Sequence, residues 1–391
     1  MICPYCEQGE VVNARIRKNG KEIFVCQECD TVWYQVVNLT TGIGFDLAMS
    51  NEGCNNSWDE LEFSTNINME SEIMRVITDY NSLSRGYVVR DGYVFTSLSA
   101  QTNVFDAIVI INSAEVGSWG NRYGEPQRSL DEHIEYINKF KLKKAKIIAD
   151  TIDFLGACPT LMELQIIPTI KRDNFNFSYL YGRKNVKVLS CITNYGDSGE
   201  FKSEVDYSRI GGIEELAISG TGHKNYCCIQ TLKDLWISNN KDYDDLESIG
   251  NSTNLQSLTI MQCGVKSVNG IGRIRELKNM YLSYNRCLTD IAEICTQGGN
   301  LKTLTIEACP KITDFSCLYS LTQLEHLVLN GSNDLPDLKF LSVMPNLKTF
   351  SFTMNVEDGD LSICKRIPYV HCGKGREHYN LKDKDLPKNI G

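Results

Sequence analysis

Four cysteines near the start of the chain have a spacing that can bind a metal ion. Cys3 and Cys6 form one Cys-x-x-Cys pair, and Cys26 and Cys29 form a second. Each pair can bring two sulfur atoms onto one tight turn, and four thiolates complete a tetrahedral shell that suits zinc. Such a shell leaves no open position for a substrate. We therefore expect these cysteines to hold one zinc ion in a structural role.

The segment that must position the two pairs predicts a β-hairpin. Two apolar runs flank Asn19-Gly20, which is the strongest two-residue hairpin signal. Val32, Trp33 and Tyr34 follow the second pair and can supply a small apolar cover. Residues 1–36 resemble a zinc ribbon, a fold that serves nucleic-acid-binding proteins, enzymes and adaptors alike. The resemblance therefore implies zinc but does not select a function.

A leucine-rich motif, L-x-x-L-x-L with other apolar residues allowed, recurs through most of the remaining chain. Its clear copies begin every 19 to 27 residues: LMELQI (161–166), VKVLSC (186–191), IEELAI (213–218), LKDLWI (232–237), LQSLTI (255–260), LKNMYL (277–282), LKTLTI (301–306), LEHLVL (324–329) and LKTFSF (347–352). Weaker copies are FDAIVI (105–110), LKKAKI (142–147) and IPYVHC (367–372). A repeat of this period predicts a stacked, solenoidal protein.

Three positions after the last apolar residue of most copies stands a residue that can bond the backbone of a turn. These residues are Asn194, Asn240, Cys263, Asn285, Cys309 and Asn355. Residues 101–375 thus resemble the leucine-rich repeat family. The resemblance implies an α/β solenoid with a parallel sheet on its concave face, and it implies that Cys263 and Cys309 are small buried turn residues.

Composition limits the classes of protein that the chain can belong to. The net charge is −9, which disfavours a protein that tracks phosphates with its whole surface and favours a basic partner. No apolar run reaches the ~18 residues of a membrane span, and no secretory signal is recognisable. We therefore expect a soluble, cytoplasmic protein whose 16 cysteines are reduced.

The remaining segments are interpreted as caps and insertions. Residues 37–100 predict an α+β N-terminal cap, with helical spacing over 69–80 and a hairpin turning at Asp91-Gly92. Residues 113–129 form an insertion with Trp119, Arg122 and Tyr123, residue types that are enriched at binding hot spots. A loop folded back on the cap explains this insertion equally well.

The sequence also predicts a helix, a second insertion and a C-terminal tail. A helix begins after residue 129, because Ser129 and Glu132 have capping-box spacing. The insertion at 170–185 is basic and aromatic; its aromatic residues either stack bases or pack the convex side. Residues 376–391 are expected to form a loose C-terminal tail.

The repeat pattern also predicts a binding site. Positions three and five of each motif should face the concave side, so that Trp236 and Tyr281 lie two strands apart, ~10 Å. The residues expected around this aromatic pair are Glu215, Asp234, Met261, Tyr284 and Glu307. Exposed aromatic anchors among carboxylates fit a basic, partly apolar protein surface. The alternative is that Trp236 only covers a neighbouring strand.

Sequence motifs of catalysis are missing. The chain has no Walker-type glycine loop, no H-E-x-x-H and no G-x-S-x-G. The segment HCGKGREH (371–378) is better explained as a polar end cap than as a second metal site or a Cys-His nucleophile. We therefore expect a non-enzymatic protein.

Protein–protein interaction through the concave face is the leading hypothesis. Its more specific form is a bacterial immunity protein, a toxin inhibitor whose acidic face covers a basic toxin; this form rests on analogy. One alternative is nucleic-acid binding through the ribbon hairpin and the 170–185 insertion, with Arg15, Arg17, Lys171 and Arg172 as contacts. Another is a scaffold adaptor that presents a substrate to an enzyme docked on the ribbon.

Overall fold

The protein divides into two units, residues 1–106 and 107–391, in a computed structural model. The structure describes residues 11–26, 29–34, 37, 42–55, 57–63, 87–98, 104–113, 128–169, 175–192, 204–241 and 243–389. Each unit is described by itself below.

The N-terminal unit contains an antiparallel sheet with the strand order β4-β3-β2-β1-β5. Its strands and helix are β1 (Val11–Ile16), β2 (Glu22–Cys26), β3 (Thr31–Trp33), β4 (Ile43–Gly44), α1 (Phe45–Asn51) and β5 (Leu61–Phe63). A short 3-10 helix, Trp58–Glu60, precedes β5. Strands β1 and β2 form the predicted hairpin, in which Val11 lies opposite Cys26 and Gly20 in the turn has φ 73°.

The small core of this unit explains why it extends beyond residue 36. Val32 and Trp33 are buried as predicted, and Trp33 packs beside Cys26. On the other side of the sheet, Phe45 and Leu61 join the same apolar cluster as Val32. The sheet therefore incorporates segments up to residue 63, because two strands and a turn have too little apolar surface to cover themselves.

A second hairpin lies at 87–96, where Asp91 and Gly92 form the turn predicted from their sequence. Its strands are β6 (Tyr87–Arg90) and β7 (Tyr93–Thr96). Asp91 has φ 52° and Gly92 has φ 81°, as a two-residue hairpin turn of this type requires. The helix predicted over 69–80 lies outside the described residues.

The second unit is built from one parallel strand per repeat. The strands that pair side by side in one sheet are β8 (Ala107–Asn112), β9 (Lys144–Ala149), β10 (Glu163–Pro168), β11 (Val188–Ile192), β13 (Glu215–Ser219), β15 (Asp234–Ser238), β16 (Ser257–Met261), β17 (Asn279–Ser283), β18 (Thr303–Glu307), β19 (His326–Asn330), β21 (Thr349–Phe352) and β23 (Tyr369–Cys372). Two small parallel pairs lie beside this sheet: β12 (Val205–Asp206) with β14 (His223–Lys224), and β20 (Asp334–Leu335) with β22 (Asn355–Val356).

Short 3-10 helices form the return path of the repeats. They span Asp153–Ala157, Phe177–Leu180, Tyr207–Arg209, Tyr226–Cys228, Ile249–Asn251, Ile271–Arg273, Ala292–Gln297, Ser316–Ser320, Lys339–Val343, Ser362–Arg366 and Asp383–Asp385. The longer α2 (Leu130–Phe140) has the predicted capping box, in which the side chain of Glu132 accepts a hydrogen bond from the N–H of Ser129 at 2.8 Å.

Side chains at positions one, four and six of each motif form the core between the two layers. In the motif LQSLTI, for example, Leu255, Leu258 and Ile260 are buried, and the equivalent residues of the neighbouring repeats stack on them. No repeat could hide these side chains alone, so the stacking itself supplies the core. The second unit is therefore a leucine-rich-repeat solenoid.

Buried Asn and Cys side chains tie several of the turns to the preceding repeat. Asn285 is fully buried; its Oδ1 accepts a hydrogen bond from the N–H of Cys263 at 2.9 Å, and its Nδ2 donates to the carbonyl of Ile260 at 2.8 Å. Cys263 and Cys309 are buried with their sulfurs near backbone carbonyls, which confirms their interpretation as turn residues.

This ladder differs from its prediction at one end. Asn355 is only half-buried and donates to Asp334, whereas buried Asn333 donates to the carbonyls of Cys309 and Ile312. Asn333 lies four positions after the last apolar residue of LEHLVL, one more than in the other copies, so the spacing rule did not identify it. Asn194 lies outside the described residues.

The residue before the ladder positions Asn240, Cys263, Asn285 and Cys309 adopts a left-handed backbone. Asn239, Gln262, Tyr284 and Ala308 have φ between 50° and 57°, and Gly220 occupies the same position with φ 90°. Each N–H donates to a carbonyl of the next repeat, as Tyr284 does to Glu307 at 2.8 Å. These hydrogen bonds stabilise a backbone conformation that residues other than glycine rarely adopt.

The C-terminal segment is an ordered cap and not the loose tail that its composition suggested. Tyr379 and Leu386 are buried, and the hydroxyl of Tyr379 accepts from the N–H of Val356 at 3.0 Å. The N–H of Val370 in β23 donates to the carbonyl of Pro387 at 2.9 Å. The last strand of the solenoid is thus covered by the chain's own backbone.

Candidate binding face

Strand register in the solenoid agrees with the predicted columns. At position five the paired residues run Lys146, Gln165, Ser190, Ala217, Trp236, Thr259, Tyr281, Thr305, Val328, Ser351 and His371. At position three they run Lys144, Glu163, Val188, Glu215, Asp234, Ser257, Asn279, Thr303, His326, Thr349 and Tyr369. From β9 onwards both columns are exposed or half-buried, which defines the concave face.

Two aromatic side chains stand on this face in the central repeats. Trp236 pairs with Thr259, and Thr259 pairs with Tyr281, so the two rings lie two strands apart in one column. Trp236 is 45% exposed, while Tyr281 is half-buried. Exposed aromatic surface of this kind is a common anchor for a protein partner.

Carboxylates border the aromatic pair on the position-three column. Glu215 pairs directly with Asp234 on the neighbouring strand. Partial burial raises the pKa of both carboxyl groups, and the negative charge of Asp234 raises that of Glu215 further. The pKa of the Tyr281 hydroxyl is also raised, first by burial and then by Asp234. This part of the face would be stabilised by a cation.

The other residues predicted around the pair lie at the carboxyl ends of the strands. Met261 and Glu307 are half-buried and share one column, with Ser283 between them. Tyr284 follows β17 and is 47% exposed in its left-handed conformation. The structure thus brings the seven predicted concave residues to one region of the sheet.

The two insertions give different outcomes. Trp119, Arg122 and Tyr123 lie outside the described residues, as do Lys171 and Arg172. Within the described part of the second insertion, Phe175 and Phe177 are buried, so their rings cannot stack on bases.

Arg183, in that insertion, forms hydrogen bonds with backbone carbonyls of the neighbouring repeat. Its guanidinium donates to the carbonyls of Leu155, Cys158 and Leu161 at 2.7 to 3.1 Å. These contacts tie the insertion to the neighbouring repeat. The basic and aromatic composition of the segment is therefore explained, over its described residues, mainly by packing.

Half of the predicted metal site is described. Cys26 is buried at the end of β2, and its sulfur accepts from the N–H of Cys29 at 3.5 Å. A backbone N–H donated to a cysteine sulfur is a contact that can stabilise a thiolate ligand of zinc. Cys3 and Cys6 lie outside the described residues, and among the described residues no group of three or more metal-binding side chains is found.

Basic residues of the ribbon hairpin make contacts within the unit. Arg15 pairs with Glu22 at 3.3 Å, and Lys21 pairs with Glu52 at 2.6 Å. Arg17 donates from Nε to the carbonyls of Asp59 and Leu61. Contacts of this kind reduce the attraction of the hairpin for phosphate.

His371, in the HCGKGREH segment, and His223 have different surroundings. Along β23, His371 is exposed and Cys372 is buried, so their side chains point to opposite faces of the strand and cannot act as a pair. His223 is buried and hydrogen-bonded to Tyr207. Neither arrangement resembles a nucleophile with its base.

A line of lysines lies at position two of the motifs. It was not predicted from the sequence, because only positions three and five were considered there. We call Lys187, Lys233, Lys278, Lys302 and Lys348 the lysine rim. The signal was present in the sequence as a lysine after the first apolar residue of VKVLSC, LKDLWI, LKNMYL, LKTLTI and LKTFSF. The pairing of the strands shows that these lysines lie in one row.

Among the described residues, no helix has the length and apolar character needed to cross a membrane.

Comparisons with known proteins agree on the repeat class. No protein-family model matches the chain. Leucine-rich repeat-containing protein 56 of Rattus norvegicus is 29% identical over 160 residues, which cover 40% of this chain and 21% of that protein. The Mus musculus protein of the same name is 31% identical over 140 residues, covering 35% and 20%. The chain therefore spans about one fifth of the length of these curated relatives.

Two solved structures give partial superpositions. An internalin from Listeria monocytogenes aligns with a TM-score of 0.43 and 17% identity, covering 59% of this chain and 72% of that one. A leucine-rich-repeat protein of Leptospira interrogans aligns with a TM-score of 0.41 and 16% identity, covering 67% and 61%.

Proposed function

We propose that the concave face binds another protein whose contacting surface is basic and partly apolar. The observation that carries the proposal is the exposure of Trp236 beside Glu215 and Asp234. An aromatic ring in the middle of an open sheet loses contact with water only when a partner covers it. The adjacent carboxyl groups, whose pKa values are raised, gain from a cationic side chain at the same place.

The more specific proposal is an immunity protein, a toxin inhibitor that masks the basic cleft of a nucleic-acid-directed toxin. It is supported by the acidic charge of −9 and by the position of the carboxylates around the aromatic pair. Charge complementarity of this kind speeds association and selects the partner. In this proposal the protein has no catalytic task, and its action is to occupy the partner's surface.

We also propose one structural zinc ion bound by Cys3, Cys6, Cys26 and Cys29. The turn at Cys26 and Cys29 supports this proposal, because the N–H bonded to sulfur stabilises a thiolate. Zinc would hold the small N-terminal sheet together and would not take part in binding at the concave face.

The experiment is affinity capture with the full-length chain, followed by calorimetric titration of the purified partner. Trp236→Ala/Tyr281→Ala should lose at least tenfold in affinity, since each buried aromatic anchor is worth about 1 kcal/mol or more. The matched control is Tyr319→Ala/Phe140→Ala, which removes two exposed aromatics outside the face. Equal affinity of the two double variants for every captured partner would refute the proposed site.

A further inference from the structure

The lysine rim is a continuous row held by the backbone. The N–H of Glu214 donates to the carbonyl of Lys187, and the N–H of Lys233 donates to that of Glu214, both at 2.8 Å. The same bond recurs without interruption through Gln256, Lys278, Lys302, Glu325 and Lys348, at 2.7 to 2.8 Å. The side chains at this position are therefore spaced ~4.8 Å apart at the amino ends of the strands.

One glutamate at each end of the row offsets part of the positive charge. Glu214 pairs with Lys187 at 3.2 Å and with Lys233 at 2.7 Å. Glu325 pairs in the same way with Lys302 at 3.2 Å and with Lys348 at 2.6 Å. The two lysines bound to each glutamate hold the pKa of that glutamate below its usual value. A row of like charges at this spacing requires such partners to limit repulsion.

The middle of the row keeps an excess of positive charge. Lys278 is exposed and donates to the uncharged amide oxygen of Gln256 at 3.3 Å. Its neighbour Lys302 shares one carboxylate with Lys348. Five lysines against two glutamates leave the row basic within a protein whose net charge is −9.

This basic row lies beside the acidic and aromatic columns of the same strands. Lys233 directly precedes Asp234 and lies three residues before Trp236; Lys278 lies three residues before Tyr281. Three residues of strand span ~10 Å. A partner that covers ~800 Å² of this protein, the size of an ordinary interface, spans roughly 28 Å and so reaches both the rings and the row.

We propose that the lysine rim binds acidic residues of the same protein partner and so fixes the direction in which that partner lies on the concave face. This inference rests on the proposed function, since it assigns a second contact to the same partner. A partner with basic groups over Glu215 and Asp234 must then carry acidic groups toward the amino ends of the strands. The reversed orientation would place like charges together at both contacts.

Two labelled peptides test the rim without knowledge of the partner: ten glutamates and ten lysines, each titrated with the full-length chain at low salt by fluorescence anisotropy. Lys278→Gln/Lys302→Gln should weaken glutamate-peptide binding about fivefold or more, and leave lysine-peptide binding equal or tighter. Lys311→Gln/Lys365→Gln removes the same charge from exposed positions outside the rim and is the matched control. Equal loss in both double variants would overturn the proposal.

Two further arms separate the possible failures. If Trp236→Ala/Tyr281→Ala leaves lysine-peptide binding unchanged, the proposed function fails independently of the rim. An oligonucleotide of equal charge that binds more tightly than the glutamate peptide, and is released by the rim variant, would overturn the assignment to an acidic protein segment in favour of nucleic acid.

Discussion

The hydroxyl oxygen of Tyr207 lies 2.9 Å from Nδ1 of His223, in the interior of the solenoid. The other ring nitrogen of His223 lies 3.2 Å from the carbonyl of Ser219. A neutral imidazole satisfies both contacts, with Nε2 donating and Nδ1 accepting. Burial lowers the pKa of His223 from 6.5 to about 4.

This buried histidine should make the stability of the protein depend on pH. Between pH 6.5 and 4 the unfolded chain binds a proton that the folded chain excludes, so the free energy of unfolding falls as pH falls. The total loss expected from His223 is about 3 kcal/mol. Urea titrations across this range should show a steeper pH dependence for the native chain than for His223→Gln.

The buried asparagine ladder predicts a localised loss of stability. Asn285→Ala leaves the N–H of Cys263 and the carbonyl of Ile260 without their partners, which should lower the free energy of unfolding by about 2 to 4 kcal/mol. Asn285→Cys should recover part of this loss, because Cys309 fills the same position in the next repeat. The exposed Asn346→Ala variant should change stability by less than ~0.5 kcal/mol. A loss no larger for Asn285 than for Asn346 would contradict the assigned role.

Tyr284 should show a conflict between stability and binding. A tyrosine at φ 57° is strained by about 1 kcal/mol, whereas Gly220 adopts the equivalent conformation freely. Tyr284→Gly should therefore keep or raise the melting temperature while weakening capture of the partner. Tyr319→Gly, at an equally exposed position on a convex 3-10 helix, should lower the melting temperature and leave capture intact.

Removal of zinc should unfold the N-terminal sheet and leave the solenoid folded. Chelation should abolish amide protection in β1 and β2 and leave the solenoid strands protected, because the repeats cover one another. Elemental analysis should give one zinc per chain, and Cys26→Ser should lose it while Cys54→Ser keeps it. A full complement of zinc in the Cys26→Ser variant would refute the assigned site.

Binding of a basic partner should weaken in mild acid. The raised pKa values of Glu215 and Asp234 mean that these carboxylates take up protons at a higher pH than ordinary ones do. Affinity for the lysine peptide should therefore fall as pH is lowered through that range. Asp234→Asn should bind more weakly at neutral pH and show a smaller fall. An unchanged pH profile in this variant would exclude Asp234 from the contact.

The sequence was most informative where one rule recurs. The motif positions of Leu255, Leu258 and Ile260 hold apolar residues in the neighbouring motifs as well. This recurrence determines which side chains are buried and which residues pair across strands. That periodicity also predicts that Trp236 and Tyr281 lie in one column, as their strand register confirms. The register of the strands is confirmed, while the assignment of these residues to a binding site stays a prediction.

Other features depended on local geometry that spacing does not encode. Asn333 belongs to the ladder although it follows its motif by one position more than the other members do, whereas Asn355, in the next repeat, has the predicted spacing but is only half-buried. Tyr284 gives no sequence signal of its left-handed backbone, which is held by a bond to Glu307 in the next repeat. The boundary at residue 36 failed to account for Phe45 and Leu61, whose burial extends the N-terminal sheet.

The backbone of Pro387 to Asn389 runs antiparallel beside β23 and occupies its outer edge, with the N–H of Asn389 bonded to the carbonyl of Pro368 at 3.0 Å. An open sheet edge is a template on which further chains can add strand by strand. At this edge of the sheet an incoming strand would first have to displace residues 387–389. These residues therefore protect the edge of β23 against the addition of a strand from another molecule.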